Sequence, residues 1–243
     1  MKNEQYNKSN GNYKVLPIDT FDTKEWLLKK HYAHRMCPIS YAFGLFENNV
    51  IVGVLTYGHP FSPGLKKCLG EAYHDTLLEL NRLCVNDGLP KNTLSWFVSQ
   101  TFKFLPKPVP IVSFADSEQG HHGYIYQATN WIYTGLSVPF TDVKVKGFEH
   151  LHQASIGDKV GRADKNENVA GKSRKKLLEE KFGKENIFLE ERARKHRYFM
   201  FLGSKSDKKK MLKCLTYKVQ PYPKGDNKTY DSSYEPKVQL SLF

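Results

Sequence analysis

Side chains that can transfer protons or bind a metal are concentrated in the stretch 111–135. Asp116 ends an apolar run, and His121 and His122 follow it in a glycine-containing turn. Tyr126 comes four residues after His122, a spacing that places both on one face of a helix. A carboxylate, an imidazole and a phenol that converge are suited to proton transfer or metal binding, and His121 and His122 are the candidate metal ligands. The alternative is that Asp116 only caps the helix.

His31 and Tyr32 form a second candidate pair, predicted at the end of the first helix. Taken alone, they would be interpreted as ordinary surface residues. His31 and His34 have a spacing that can hold a metal ion, but no third ligand is near them in the sequence. We therefore do not predict a zinc site at this position.

Glu79 and Arg82 are charged residues in a leucine-rich segment that is predicted to be a buried strand. We expect the two side chains to point to opposite faces of that strand. A charge in such a strand must reach solvent, a partner or a ligand. For Glu79 an internal salt bridge is the simpler interpretation, whereas Arg82, near the carboxyl end of the strand, is the better candidate for ligand binding.

The turn 86–95 leads into the N-terminus of a predicted helix. Free backbone N–H groups and the helix dipole favour an anion there. Asn92 and Ser95 are therefore candidates for contact with a bound ligand, and the alternative is that both act only as helix caps.

The elements that must hold these residues follow from apolar periodicity and turn signals. The predicted strands cover 13–18, 41–46, 50–57, 76–85, 111–115 and 131–134. The predicted helices run from Asp22 or Thr23 to about His34, from Asn92 to about Leu105, and over 121–130; the segment 58–70 is predicted as a loop. The order β-α-β-β-β-α-β-α-β predicts an α/β protein with a mixed central sheet flanked by helices.

The last hundred residues are more basic and less periodic. We predict a mobile loop over 159–176, a short helix over 176–182, and two strands at 197–202 and 213–219 around a basic turn at 204–210. The predicted organisation is a disordered N-terminus (1–12), a catalytic core (13–143), a basic extension that completes the fold and contacts DNA (144–220) and an extended tail (221–243).

Charge is distributed unevenly along the 243 residues, whose formal net charge is +12. Residues 1–143 carry 13 Lys and Arg against 12 Asp and Glu, whereas residues 144–243 carry 24 against 13. A basic second half favours a polyanionic partner such as nucleic acid, and the alternative is a merely solvated basic surface. The residues predicted to contact the DNA backbone are Arg162, Lys172, Arg174, Lys175, Lys176, Lys208, Lys209 and Lys210.

The remaining composition points to a cytoplasmic protein. The four cysteines are scattered without a C-x-x-C pair, which is typical of reduced thiols. The N-terminus is polar, so no signal peptide is predicted, and the longest apolar run, 50–57, is too short to span a bilayer. The basic segments lack an amphipathic helix with a broad apolar face, so a membrane surface is not predicted as the partner.

Several motifs of this chain together resemble the phage Mom family. They are H-Y at 31–32, F-G-L-F at 43–46, E-L-N-R-L at 79–83, P-K-N-T-L-S-W-F at 90–97, S-F-A-D at 113–116 and G-H-x-G-x-I-Y-Q-A-T-N-W-x-Y-x-G at 120–135. The resemblance covers about residues 13–140, and K-H-R-Y at 195–198 is also similar to family tails.

The resemblance implies the fold of the GNAT acetyltransferases and a transferase that acts on DNA. Members of the family convert adenine at its exocyclic N6 to carbamoylmethyladenine and so shield phage DNA from restriction, in the cytoplasm of the host cell. The catalytic residues implied by the matching motifs are His31, Tyr32, Asp116 and Tyr126. The donor-binding residues implied are Arg82, Asn92 and Ser95.

The donor is left open by the sequence. A Q/R-x-x-G-x-G/A pyrophosphate loop is absent, and D-G-L-P-K-N stands in its place, which argues against ordinary acetyl-CoA use. Glycyl transfer to N6 would give an isomer of the product, so either an acetyl-CoA-like donor or an activated glycine such as an aminoacyl-tRNA is compatible. Whether a metal takes part is also open.

We hypothesise that Asp116 or His31 accepts the N6 proton, while Tyr126 or Tyr32 protonates a leaving group or stacks on the base. The target adenine lies inside the duplex and must be flipped out to be reached. Two alternatives remain: an N-acyltransferase acting on a small molecule or a protein, which would not need the basic half, and a non-catalytic DNA-binding protein, which would not need the Asp116 cluster.

Overall fold

The computed structural model describes residues 13–149, 151, 156, 173–226, 234 and 236. The described residues form two compact units, one from Met1–Leu136 together with Lys195–Phe243 and one from Ser137–Arg194. The expected disordered N-terminus, most of the expected loop at 159–176 and most of the tail beyond 226 lie outside the described residues.

The first unit contains a seven-stranded sheet in the order β1-β2-β3-β4-β5-β9-β6, in which only β4 and β5 are parallel. The strands are β1 (Tyr13–Pro17), β2 (Tyr41–Glu47), β3 (Val50–Gly58), β4 (Leu78–Val85), β5 (Val109–Asp116), β6 (Ile132–Leu136) and β9 (Lys195–Leu202). The predicted mixed sheet and its element order are confirmed. The most distant strand in sequence, β9, lies inside the sheet between β5 and β6.

Helices cover both faces of this sheet. They are a 3-10 helix (Thr20–Thr23), a π-helix (Trp26–Lys30), α1 (Pro63–Lys66), 3-10 turns at Lys67–Leu69, Glu71–Tyr73 and Ser117–Gln119, α2 (Thr93–Thr101), α3 (Tyr124–Ala128) and α5 (Lys205–Cys214). Phe97 and Val98 of α2 pack into the larger core with Leu78 and Ile111. On the other face Met211 of α5 packs with Val112 and Phe199.

Local capping explains where the predicted elements were wrong. The predicted turn 204–210 and strand 213–219 are replaced by α5, because Ser204 and Asp207 form a reciprocal capping box at its start. The segment 58–70, predicted as a loop, contains α1, which begins after the Ser62 cap with Pro63 in its first turn. The first helix starts earlier than predicted, after the Asp19 cap.

The second unit consists of the antiparallel pair β7 (Phe140–Val145) and β8 (Ile187–Arg192), the helix α4 (Arg174–Phe182) and a 3-10 turn (Lys184–Asn186). Val145, Ile156 and Leu178 form its small core. Arg192 makes a two-pronged ion pair with Asp142, with nitrogen–oxygen distances of 2.9 and 2.5 Å. Neither strand of this unit was predicted from the sequence.

Candidate active site

The parallel strands β4 and β5 separate after three paired positions and so form a cleft. They are in register from Leu78 opposite Ile111 to Leu80 opposite Ser113. Beyond that point β4 stays paired with β3, and β5 stays paired with β9 up to Asp116. The carboxyl-terminal halves of β4 and β5 therefore leave between them a place where an elongated substrate group can meet backbone and side chains.

A β-bulge at Asn81 decides what the β4 wall of the cleft presents. Tyr57 lies opposite Leu80 and Thr56 opposite Arg82, so Asn81 is the extra residue. One extra residue reverses the alternation of side chains along a strand. Glu79 and Arg82 consequently point to the same face, away from the core that takes up Leu80, and the expectation that they point to opposite faces was wrong.

The bulge is fixed by the side chain of Asn81. Its Oδ1 accepts a hydrogen bond from the Thr56 hydroxyl (2.6 Å), and its Nδ2 donates to the carbonyl of Pro38 (2.7 Å). A Cβ on Gly58 would lie 2.0 Å from that same carbonyl oxygen, so only glycine allows the approach. The segment that follows Tyr32 is thereby held against the bulge.

Asp116 lies at the end of the β5 wall and is buried. Its Oδ2 receives Lys195 Nζ at 2.6 Å and lies 3.5 Å from the Tyr32 hydroxyl, while its Oδ1 accepts from the backbone N–H of Glu118 at 3.2 Å. Lys195 is opposite Asp116 in the β5–β9 register. Sequence reasoning did not assign Lys195 to the site, although the K-H-R-Y motif contained it, because the pairing joins residues 79 positions apart.

His31 follows the π-helix, whose wide turn is closed by a hydrogen bond from its backbone N–H to the carbonyl of Trp26 (2.8 Å). The preceding Lys30 is buried and donates to Asp87 Oδ2 at 2.8 Å and to the carbonyl of Tyr234 at 2.7 Å. These bonds fix the end of the helix, which supports the prediction that His31 and Tyr32 lie there.

The imidazole of His31 is neutral at physiological pH. Burial, together with the positive charge of Arg82, lowers its pKa from 6.5 to about 3. Its Nδ1 lies 3.1 Å from the backbone N–H of Ala33 and accepts from it, which leaves the hydrogen on Nε2. The ring stacks on Tyr32 with a centroid distance of 4.4 Å. His31 can therefore donate a hydrogen bond through Nε2.

Both phenols of the site remain protonated at neutral pH. Burial and the nearby Asp116 carboxylate raise the pKa of Tyr32. Burial raises the pKa of Tyr126 to about 12, against the opposing effect of its hydrogen bond with Ser113 (2.7 Å). The Ser113 hydroxyl has one hydrogen and lies 2.7 Å from the carbonyl of Leu80, so Tyr126 donates to Ser113 when Ser113 donates to Leu80.

Glu79 is the one carboxylate of the β4 wall and is half-buried. Burial raises its pKa from 4.5 to about 7, although the positive charges of Arg82, Lys195 and Arg35 act in the opposite direction. Arg82 donates to the carbonyl of its neighbour Asn81 through Nη1 (2.6 Å), and its buried Nε meets no acceptor among the described residues. The β4 wall therefore offers a titratable acid and an available donor.

The two histidines after Asp116 lie in different surroundings. The ring of His121 is 6.4 Å from that of Tyr32, on the side of the site. His122 precedes α3, because Gly123 takes the N-cap with a φ of 81°, so His122 and Tyr126 do not share a helix face as predicted. The His122 ring lies 5.4 Å from that of His196. Within the described ranges, no three His, Cys, Asp or Glu side chains are grouped as metal ligands.

Two of the predicted donor-binding residues lie in a groove of about 760 Å³ along α2. Asn92 and Ser95 line this groove, whereas Arg82 is part of the cleft. Asn92 has a φ of 71° and caps nothing with its side chain, and the Ser95 hydroxyl donates to the Asn92 carbonyl at 3.0 Å. The other residues lining the groove include Lys91, Trp96, Ser99, Phe102, Asn130, Met200, Leu202 and Lys208.

The predicted DNA-contacting residues are divided between the two units. Lys208, Lys209 and Lys210 are exposed on α5 of the first unit. Lys175 and Lys176 are exposed on α4 of the second unit. Arg162, Lys172 and the side chain of Arg174 lie outside the described part of the chain.

Comparison with known proteins identifies a family. Residues 12–224 match the model of the Mom protein family. The chain is 29% identical over 222 residues to a methylcarbamoylase from Escherichia phage Mu. The aligned region covers 87% of this chain and 85% of that relative.

The solved structures similar to this chain include two GNAT-family acetyltransferases. One, from Bacillus cereus, has a TM-score of 0.40 and 10% identity and covers 79% of this chain and 98% of its own. The other, from Elizabethkingia anophelis with acetyl-CoA bound, has a TM-score of 0.36 and 12% identity and covers 79% and 99%. Separately, none of the helices in the described residues has the length and apolar character needed to cross a membrane.

Proposed function

Because this chain belongs to the Mom protein family, we propose that it is a transferase that modifies the exocyclic N6 of adenine in double-stranded DNA. The product we propose is carbamoylmethyladenine, which would protect phage DNA from restriction. The family match carries the proposal, and the name of the phage Mu relative, a methylcarbamoylase, supports a transfer reaction of this kind.

The cleft between β4 and β5 supplies the groups that such a transfer needs. His31, Tyr32, Asp116 and Tyr126 are the proposed catalytic residues. His31 donates through Nε2, and the two phenols stay protonated, so all three can stabilise or protonate an oxygen or a leaving group. Asp116, paired with Lys195, orients the Tyr32 hydroxyl.

The adenine must leave the duplex before its N6 reaches these groups. An enzyme that acts on a base extrudes it and stacks it against aromatic side chains. The stacked rings of His31 and Tyr32, with His121 beside them, offer such a surface next to Asp116. This arrangement supports an aromatic platform for the extruded base.

The groove along α2 is the proposed donor site. Lys91 gives it positive charge, the hydroxyls of Ser95 and Ser99 give it hydrogen-bonding capacity, and Trp96 gives it an apolar wall. These groups suit a donor that carries phosphates, and both a CoA thioester and the aminoacylated end of a tRNA fit that description. Arg82, whose Nε is available in the cleft, is proposed to bind the donor's reactive end.

Contact with the DNA backbone is proposed for the exposed lysines of α5 and for Lys175 and Lys176 of α4. Arg162, Lys172 and Arg174 belong to the same proposal. Neutralising phosphates releases counterions, so this binding depends on salt and does not discriminate sequence.

The proposed function is tested by mass spectrometry of nucleosides from DNA of cells that express the protein. We expect a modified deoxyadenosine in which one carbamoylmethyl group has replaced one hydrogen, with the corresponding increase in mass. Cells that express Asp116→Asn at the same level are the control and should lack the product. If both cell lines contain only unmodified adenine, the proposal fails, and an N-acyltransferase of another substrate or a non-catalytic DNA-binding protein takes its place.

A further inference from the structure

Two carboxylates face the cleft, and their surroundings differ. Asp116 accepts from Lys195 Nζ and from the backbone N–H of Glu118 and lies near the Tyr32 hydroxyl, so its oxygens are largely occupied. For Glu79, no hydrogen-bond donor and no cationic nitrogen within 4 Å is found among the described residues. Its carboxylate therefore keeps its lone pairs for a ligand.

The position of Glu79 in the cleft results from the bulge. Because Asn81 is the extra residue, Glu79 points to the same face as Arg82. Its charge acts on Tyr126, whose hydroxyl contacts Ser113 of the β5 wall. Glu79 thus lies where the two strands begin to part, on the same face as Arg82, and its charge reaches the phenol of Tyr126.

We propose that Glu79 is a catalytic residue that accepts the proton from adenine N6. This inference rests on the proposed function and adds a residue to the same site. Glu79 thereby takes the proton-accepting role that the sequence hypothesis gave to Asp116 or His31; Asp116, held by Lys195, then positions the Tyr32 hydroxyl, and His31, whose Nδ1 is engaged, acts as a hydrogen-bond donor.

The reaction step is an acyl substitution at the carbonyl carbon of an activated ester or thioester of glycine. It gives an N6-glycyl amide, which is an isomer of carbamoylmethyladenine, and attack of the glycyl amine on C6 with cleavage of the original C6–N6 bond then converts this isomer into carbamoylmethyladenine. A bond forms between N6 and the activated carbon of the donor, and the bond from that carbon to the leaving group breaks, with its electron pair departing on the leaving group. N6 becomes acidic as it bonds to the carbon and transfers one proton to Glu79. Glu79 then returns that proton to the leaving group, so the residue ends the step ionised as it began.

Acid–base chemistry explains why this carboxylate suits the role. A group that must both accept and return a proton works best with a pKa near the working pH. When the surroundings of two carboxylates in one site give them different pKa values, one commonly transfers protons while the other stays ionised. The raised pKa of Glu79, about 7, agrees with the geometry, in which no partner holds the carboxylate in one state.

The test compares the wild-type protein with Glu79→Gln, using plasmid DNA and one batch of clarified host-cell extract as the donor source. Glu71→Gln is the matched control, because Glu71 is exposed and receives the same substitution. Modified deoxyadenosine is measured by mass spectrometry at a series of pH values between 6 and 9. Dividing the two rates at each pH cancels the extract's own pH dependence.

We expect wild-type activity to exceed that of Glu79→Gln by about 100-fold or more above pH 7, the usual contribution of a general base. Below pH 7 wild-type Glu79 becomes protonated, so the ratio should fall about tenfold for each pH unit. Glu71→Gln should match the wild type throughout. Glu79→Asp, which keeps a carboxylate, should retain the pH-dependent ratio at a reduced rate.

The outcomes separate the two proposals. If the wild-type protein leaves adenine unmodified, the proposed function is overturned and this inference with it. If the wild type modifies adenine but the ratio stays constant with pH, Glu79 has only a structural role and this inference alone is overturned. Duplex binding by Glu79→Gln, measured by fluorescence anisotropy, should equal that of the wild type, which distinguishes a lost proton acceptor from a lost DNA contact.

Discussion

The two walls of the cleft carry the same kinds of charge but hold them differently. On the β5 wall Asp116 is buried and bound to Lys195 at 2.6 Å. On the β4 wall Glu79 and Arg82 point to one face, yet no cation lies within 4 Å of the Glu79 carboxylate in the described ranges. The difference shows that pairing, and not residue type, decides which carboxylate is fixed in place and which can exchange a proton.

The largest expected effect is the loss of modification in Asp116→Asn. The substitution keeps the shape of the side chain and removes the charge that binds Lys195 and orients Tyr32. We expect adenine modification to fall by about 100- to 1,000-fold, while circular dichroism shows a folded protein.

Asp75→Asn is the control for this experiment, since the Asp75 side chain is exposed. Near-normal modification in Asp116→Asn would mean that Asp116 only caps the 3-10 turn after β5, where its side chain also accepts from Glu118. In that case Asp116 on the β5 wall would not take part in the reaction that is proposed for Glu79 on the β4 wall.

The second prediction concerns the effect of Glu79, on the β4 wall, on the stability of the fold. Folding raises the pKa of Glu79 from 4.5 to about 7, so the folded protein binds more protons than the unfolded chain between these pH values. Stability consequently falls as the pH rises from about 4.5 through 7. Glu79→Gln removes this cost, and we expect it to raise the free energy of unfolding above pH 7 by up to about 3 kcal/mol.

Urea denaturation at pH 8 and at pH 4 measures this effect. The gain in Glu79→Gln should be present at pH 8 and absent at pH 4, where both the folded and the unfolded protein have a protonated glutamate. A gain of equal size at both pH values would show that it arises from packing and not from ionisation.

The third prediction concerns the ion pair between Lys195 and Asp116 on the β5 wall. Lys195→Met leaves the buried Asp116 without its cation, and we expect the free energy of unfolding to fall by about 2 kcal/mol at pH 7. The estimate lies below the usual cost for a fully buried pair because the Lys195 side chain is 32% exposed. Adding Asp116→Asn to Lys195→Met should recover part of the loss, and a double-mutant cycle measures the coupling. Strictly additive losses would contradict a direct pairing.

The smallest expected effect concerns DNA binding away from the cleft. Replacing Lys208, Lys209 and Lys210 by Gln should weaken binding to any duplex by about tenfold. The slope of the logarithm of the binding constant against the logarithm of the salt concentration should become less steep by roughly 0.9 for each lost phosphate contact. The adenine that is modified should stay the same, because backbone contacts carry no sequence information. Anisotropy titrations at several salt concentrations measure both quantities.

A triple variant of exposed lysines elsewhere, with Lys14, Lys24 and Lys67 changed to Gln, has the same change in net charge. If it weakens binding as much as the α5 variant, the effect comes from total charge and not from contact at α5.

Local patterns in the sequence were enough to predict the order of the elements around the cleft. Apolar periodicity and turn residues act over a few positions, so the strands β1 to β6 and the helix α2 could be predicted from local patterns. The ending of β5 in Asp116 and the position of His31 and Tyr32 after a helical segment were likewise local features. The family motifs then supplied the expectation of a shared site.

Where the sequence failed, the deciding signal was either a short cap or a contact between distant residues. Ser204 and Asp207 carried a capping box that could have identified α5, and its basic composition obscured the signal. The helix predicted over 121–130 starts later than expected, because Gly123 takes the N-cap with a positive φ and α3 begins two residues after His122.

The electrostatics of the site depends on contacts between residues that are far apart in the chain. The bulge at Asn81 depends on its bonds to Thr56 and Pro38, and it turns Glu79 to the same face as Arg82. Lys195 reaches Asp116 because β9 inserts between β5 and β6. Whether a carboxylate is paired or free is set by neighbours that lie far away along the chain, and no local pattern of residues contains that information.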